Sequence, residues 1–103
     1  MSDRNAVIVA IRHNLKERTG RKWSVTGGTG TSWGWIRIDA PPSRKGAVDT
    51  MPMMDRDTLK WALGLESVHQ QGVNIPASAA HRREFVERSL GRVPAKAAEP
   101  YWD

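Results

Sequence analysis

Residues 22–39 read KWSVTGGTGTSWGWIRID, two alternating segments on either side of a run of glycine, threonine and serine. Residues 22–26 and 33–39 are rich in tryptophan and β-branched side chains, which favour strands. The glycines between them are typical of a flexible turn. Two strands around such a turn predict an antiparallel β-hairpin. Pro41 and Pro42 end the second strand because proline has no N–H to donate to a ladder.

The alternation also assigns side chains to the two faces of the hairpin, because successive residues of a strand point in opposite directions. We expect one face to pack against helices through Trp23, Val25, Ile36 and Ile38. The outer face then holds Trp33, Trp35 and Arg37 beside Lys22 and Ser24. Two alternatives stay open for this outer face. It is exposed, or another segment covers it, such as the tail with Trp102.

The segment before the hairpin has the periodicity of an amphipathic helix over residues 3–18. Ser2 or Asp3 can cap its first turn, and Gly20 can end it in a left-handed conformation. Its predicted apolar side consists of Val7, Ile8, Ile11 and Leu15. Arg12 and Lys16 fall on the outer side.

Two further helices are predicted after the hairpin. One covers residues 55–63 with Asp55 as its cap, and Ser78 caps the other, which covers about residues 79–90. The predicted inward face of the last helix holds Ala79, Val86 and Leu90, with Phe85 at its edge. Residues 66–75 suit a third strand and a turn equally. The expected fold class is therefore α+β, a small antiparallel sheet covered by about three helices.

Length and composition limit the class of protein. The chain has 103 residues and no cysteine, which fits one domain without disulfides, thiolate metal sites or a cysteine nucleophile. We expect a single domain over residues 1–103, with the tail 93–103 docked on it. No run approaches the eighteen or so apolar residues of a membrane helix, and the N-terminus lacks the features of a signal peptide. A cytoplasmic protein is the expectation.

No motif in the sequence specifies a reaction. The glycine run lacks the lysine, the hydroxyl residue and the helix of a phosphate-binding loop. The three histidines, His13, His69 and His81, lack zinc-site spacing and are expected on the surface or at caps. Asp55 and Asp57 suit a helix start better than a metal. We therefore expect no metal, no cofactor and no enzymatic activity.

The charge is concentrated at the start of the chain. Sixteen Lys and Arg oppose eleven Asp and Glu, and residues 1–22 hold +4 of the net +5. A basic patch formed by Arg12, Lys16, Arg21 and Lys22 would attract phosphates or an acidic protein. Exposed aromatics next to such cations, here Trp33 and Trp35 beside Arg37, suit base stacking and phosphate contact.

Residues 15–41, with KWSVT, the Gly-rich turn and IRI, resemble the large polyvalent protein-associated domains of phages and conjugative elements. The type concerned has a helix, an (F/W)SV strand, a turn and a second strand. Residues 63–73 and the closing PYWD are similar to those of small uncharacterised bacterial proteins. The resemblance implies a mobile-element setting, in which small proteins often bind nucleic acid or block host defence complexes.

The sequence thus predicts a non-enzymatic protein that binds nucleic acid through its basic first helix and its Trp-rich hairpin. The alternative is a protein-binding inhibitor of a host defence complex, of anti-CRISPR or anti-restriction type. A third hypothesis is a small hydrolase or nuclease.

Overall fold

A computed structural model describes residues 4–30, 33–41 and 51–92. In these ranges three helices and three strands follow one another as α1 (Arg4–Thr19), β1 (Ser24–Gly27), β2 (Ile36–Asp39), α2 (Met53–Leu63), β3 (Val73–Ile75) and α3 (Ala79–Ser89). The α+β class is confirmed. The predicted docking of the tail and the predicted caps Ser2 and Asp3 lie outside the described residues.

The sheet is antiparallel, and its strand order is β1-β2-β3. Val25 pairs with Ile38, which in turn pairs with Val73, and all three side chains are buried. Residues 66–75 contain both predicted structures, because a turn ending at Gly72 leads into β3. β2 begins later than predicted. Its expected first residues form a turn, in which Trp33 N–H donates to Gly30 O at 3.1 Å.

α1 covers the inner face of the sheet with the side that its periodicity predicts. Ile11, Leu15, Val25 and Ile36 are fully buried in one core. Trp23, just before β1, is buried with them, and its indole N–H donates to Thr19 Oγ1 at 2.8 Å. The inner face of the hairpin is therefore confirmed.

α2 begins two residues earlier than predicted and without the predicted cap. It starts at Met53 after Pro52, and no side chain caps it. Asp55 instead lies in the first turn, fully buried, because its carboxylate pairs with Arg21. Gly64 ends the helix as expected, at a φ of 63°.

α3 is rotated relative to the prediction. Ser78 caps it as expected by accepting from two backbone N–H groups, those of Ala80 and His81. Its buried residues, however, are His81, Phe85, Arg88 and Ser89. Leu90 is 44% exposed and Ala79 is exposed, so their predicted inward position is wrong, whereas Val86 packs against the core as expected. The polar contacts of Arg88 with α2 fix this rotation, and apolar periodicity does not report them.

Candidate functional site

The tip of the hairpin presents one exposed tryptophan. Trp33 is 55% exposed, and the Arg4 guanidinium lies 3.9 Å from the centre of its ring. Arg4 Nη1 also donates to Trp33 O at 2.7 Å and to Gly28 O at 3.1 Å. The first residue of α1 therefore joins the two sides of the tip and supports the ring with a cation.

The same tip is held by the last helix. Arg82 Nη2 donates to Gly34 O at 2.8 Å, so α3 anchors the turn that follows Trp33. Gly27 allows Arg4 to approach, because a Cβ at this position would collide with the Arg4 guanidinium. Neither Arg4 nor Arg82 has a local sequence signal for these contacts, which join residues far apart in the chain.

Trp35 occupies a different place from Trp33. It is half-buried and lines an open cleft of about 300 Å³ on the outer face of the sheet, with Thr26, Arg37 and Asn74. Its carbonyl accepts from Gly28 N–H at 2.8 Å, which holds the residue at the end of the hairpin. Trp33 lies over the N-terminus of α1 instead, since both tryptophans precede β2 and strict strand alternation does not apply to them.

Arg37 stands in the middle of the outer face, between Thr26 of β1 and Asn74 of β3. Its Nη2 lies 3.2 Å from Asp39 Oδ2, and its side chain is 40% exposed. Its Nε is buried and has no hydrogen-bond partner in the described part of the chain. The pair with Asp39 orients the guanidinium and leaves one of its donors unsatisfied.

Only some of the cations in the predicted basic patch are exposed to solvent. Lys16 and Lys22 are exposed. Arg12 is also exposed, and its Nη2 donates to Val25 O at 2.7 Å, which ties α1 to the edge strand β1. Arg21 is half-buried and contacts Asp55 at 2.9 Å and Thr58 at 3.2 Å. Arg21 therefore has a structural partner within the chain, unlike the exposed cation that the sequence predicts.

A second exposed tryptophan lies at the opposite end of α1. Trp61 of α2 is 66% exposed, and the Arg18 guanidinium lies 5.1 Å from its ring centre. Arg4 and Arg18 are separated by about 21 Å at a rise of 1.5 Å per helical residue. Met53 and Met54 of α2 are exposed as well. The described part of the chain thus contains two Trp–Arg stacks, one near each end of α1.

The titratable residues form no recognisable metal centre in the described residues. No group of three His, Asp or Glu there is placed to hold a metal ion. His13 and His69 are exposed as expected, whereas His81 is buried on the inward face of α3. Within the same ranges, no helix has both the length and the apolar character needed to span a membrane.

Comparisons with family models, with curated proteins and with solved structures find no match to this chain. The resemblance of residues 15–41 to phage and conjugative-element domains stays a prediction. The geometry of the two tryptophan sites and of the cleft is the basis on which a function is proposed.

Proposed function

We propose that this protein is a non-enzymatic cytoplasmic protein that binds nucleic acid through the hairpin tip and the basic side of α1. The observation that supports this most directly is the exposed ring of Trp33 with Arg4 behind it at 3.9 Å. A base stacked on an aromatic side chain contributes about 1–3 kcal/mol, whatever the base. A cation beside the ring favours the nearby phosphate.

Cations along α1 and just before β1 supply the electrostatic part of the proposed interaction. Lys16 and Lys22 are exposed, and Arg12 uses one nitrogen on Val25 O while its side chain stays exposed. Positive side chains on one surface release counterions from the nucleic acid when they bind phosphates. Arg21 is left out of this surface because Asp55 neutralises it.

Anisotropy of a labelled single-stranded oligonucleotide, titrated with the protein at several salt concentrations, tests the proposal. We expect affinity to fall steeply with salt, and Trp33→Ala to weaken binding by about 1–3 kcal/mol because it removes the stacking platform. Replacing Lys16 and Lys22 by alanine reduces the salt slope by about 0.7 per lysine on a single strand.

Trp61→Ala is the matched control for Trp33→Ala. It removes an exposed tryptophan of the same kind, also stacked on an arginine, from the other end of α1. We expect it to leave nucleic-acid affinity unchanged. Equal losses in the two variants, or no binding by the wild-type protein at low salt, would show that the proposal is wrong.

A second function, inhibition of a host defence complex through a protein contact, is favoured by the exposed face of α2. Met53, Met54 and Trp61 are each more than 60% exposed, and Arg18 stacks on Trp61. Tryptophan, methionine and arginine are enriched at the centres of protein interfaces. The test is inhibition of a CRISPR or restriction system in cells. For this function we expect Trp61→Ala to lose inhibition and Trp33→Ala to retain it, the reverse of the order expected for nucleic-acid binding.

A further inference from the structure

The cleft on the outer face of the sheet is separate from the Trp33 stack and has polar walls from all three strands. Thr26 lies on β1, Arg37 on β2 and Asn74 on β3, and the pairing register places them in one row. Trp35, two residues before Arg37, also lines the cleft, whose volume is about 300 Å³. The helices pack on the other face, so the cleft opens away from them.

The chemistry of the cleft points to a flat ligand with polar edges. The indole of Trp35 offers a planar wall, while Thr26 and Asn74 are exposed and together provide hydroxyl and amide donors and acceptors. Arg37 adds guanidinium donors to this lining, since its side chain is 40% exposed.

We infer that this cleft accepts one unpaired nucleobase, so that the protein binds single strands in preference to duplexes. The inference rests on the proposed function, because the Trp33 tip and the lysines hold the strand. A base in a duplex is stacked and paired, and its ring face cannot reach Trp35. An unpaired base can turn outward, stack on an aromatic ring and present its hydrogen-bonding edge to side chains.

The arrangement around Arg37 supports recognition of a base rather than of a phosphate alone. Asp39 lies 3.2 Å from Arg37 Nη2 and compensates its charge, which weakens attraction for a bare anion. The neutral residues Thr26 and Asn74 are the cross-strand partners of Arg37 on either side. A neutral ring with acceptor atoms fits this environment better than a negatively charged phosphate does.

The test compares one labelled single strand with a hairpin duplex that has the same number of phosphates. We expect the wild-type protein to prefer the single strand by about tenfold, the discrimination that a well-placed set of base contacts provides. The double variant Thr26→Val with Asn74→Ala should lose most of this preference and keep its duplex affinity. Both positions are exposed, so the variant should fold, and thermal unfolding checks this.

Ser24→Ala is the matched control, since Ser24 lies on the same face, paired with Asp39, and outside the cleft. It should retain the preference. Titration with a nucleoside and, separately, with inorganic phosphate gives a second measurement, by NMR of the Trp35 indole and Asn74 amide groups. We expect the nucleoside to shift these signals and phosphate to leave them unchanged.

The possible binding results distinguish failure of base recognition in the cleft from failure of nucleic-acid binding as a whole. Equal, salt-dependent binding of both oligonucleotides would overturn the inference and leave only the electrostatic, phosphate-directed part of the proposed nucleic-acid binding standing. A preference that the double variant keeps would also overturn it, because the cleft would not be its source. Absence of binding to either oligonucleotide would overturn the proposed function and the inference together.

Discussion

Arg21 and Asp55 are 34 residues apart in the chain and form an ion pair of 2.9 Å between the connection that follows α1 and the first turn of α2. Asp55 is fully buried, while the Arg21 side chain is 30% exposed. Thr58, one turn further along α2, also accepts from Arg21 at 3.2 Å. A single arginine of the predicted binding patch is therefore part of the packing between two helices.

Arg21→Ala should lower the free energy of unfolding by about 2 kcal/mol, because it leaves the buried Asp55 carboxylate without this partner. The loss is smaller than for a fully buried pair, since water reaches Arg21. Urea unfolding followed by circular dichroism measures it. The neighbouring Lys22→Ala is the control, and as an exposed substitution it should stay within about 0.5 kcal/mol of wild type. Similar losses in both variants would contradict the structural assignment of Arg21.

At the scale of elements, the position of β3 depends on the turn that precedes it. Gly72 N–H donates to His69 O at 2.9 Å, and Gly72 has a φ of 101°. A Cβ at Gly72 would lie 2.5 Å from Ile38 O. The absence of a side chain at this residue is what lets β3 approach β2 and complete the row with Arg37 and Asn74.

Gly72→Ala should destabilise the protein by about 3 kcal/mol, because it combines an unfavourable positive φ with a collision against the backbone of β2. Gly30→Ala is the control. Gly30 also has a positive φ, 57°, but nothing lies within 4 Å of the added Cβ, so only about 1 kcal/mol is expected. Thermal unfolding and amide exchange at Asn74 measure both. Equal losses would mean that β3 adjusts freely to the added methyl group.

At the scale of the whole molecule, two arginines join the C-terminal ends of all three helices. Arg18 of α1 donates to Ala62 O of α2 and, at 3.3 Å, to Ser89 O of α3. Arg88 of α3 donates to Leu63 O and Gly64 O, each at 2.9 Å. The final carbonyls of a helix lack intrahelical partners and form its negative end, so guanidinium groups there are favourable.

Arg88→Leu should reduce the free energy of unfolding by about 3–5 kcal/mol, because it removes the Arg88 partner of the Glu84 carboxylate and the donor to the carbonyls of Leu63 and Gly64. Both side chains of the Arg88–Glu84 pair are 9% exposed, and the pair is 2.7 Å long. Arg92→Ala serves as control. Arg92 is 71% exposed and 3.4 Å from Glu87, so its loss should cost no more than about 0.5 kcal/mol. Urea denaturation distinguishes the two, and a small loss for Arg88→Leu would refute the helix-joining role.

Burial patterns within a single helix or strand, and the ends of helices, can be predicted from the sequence. Strand alternation predicts that Val25 and Ile36 are buried, and helical periodicity predicts the same for Ile11 and Leu15. Gly64 ends its helix where the glycine stands. These predictions succeed because burial and capping in such segments depend on the spacing of neighbouring residues.

Contacts between residues far apart in the sequence could be identified only from the folded structure. The cleft combines residues of three strands, the ring of Trp33 rests on a helix residue 29 positions earlier, and the buried Arg88 of α3 bonds to a carbonyl at the end of α2. A guanidinium can bind any carbonyl or carboxylate that folding brings near it, so its spacing in the sequence does not identify its partner. The sequence thus predicted the core and the class of fold, whereas tertiary packing selected which arginines remain on the surface.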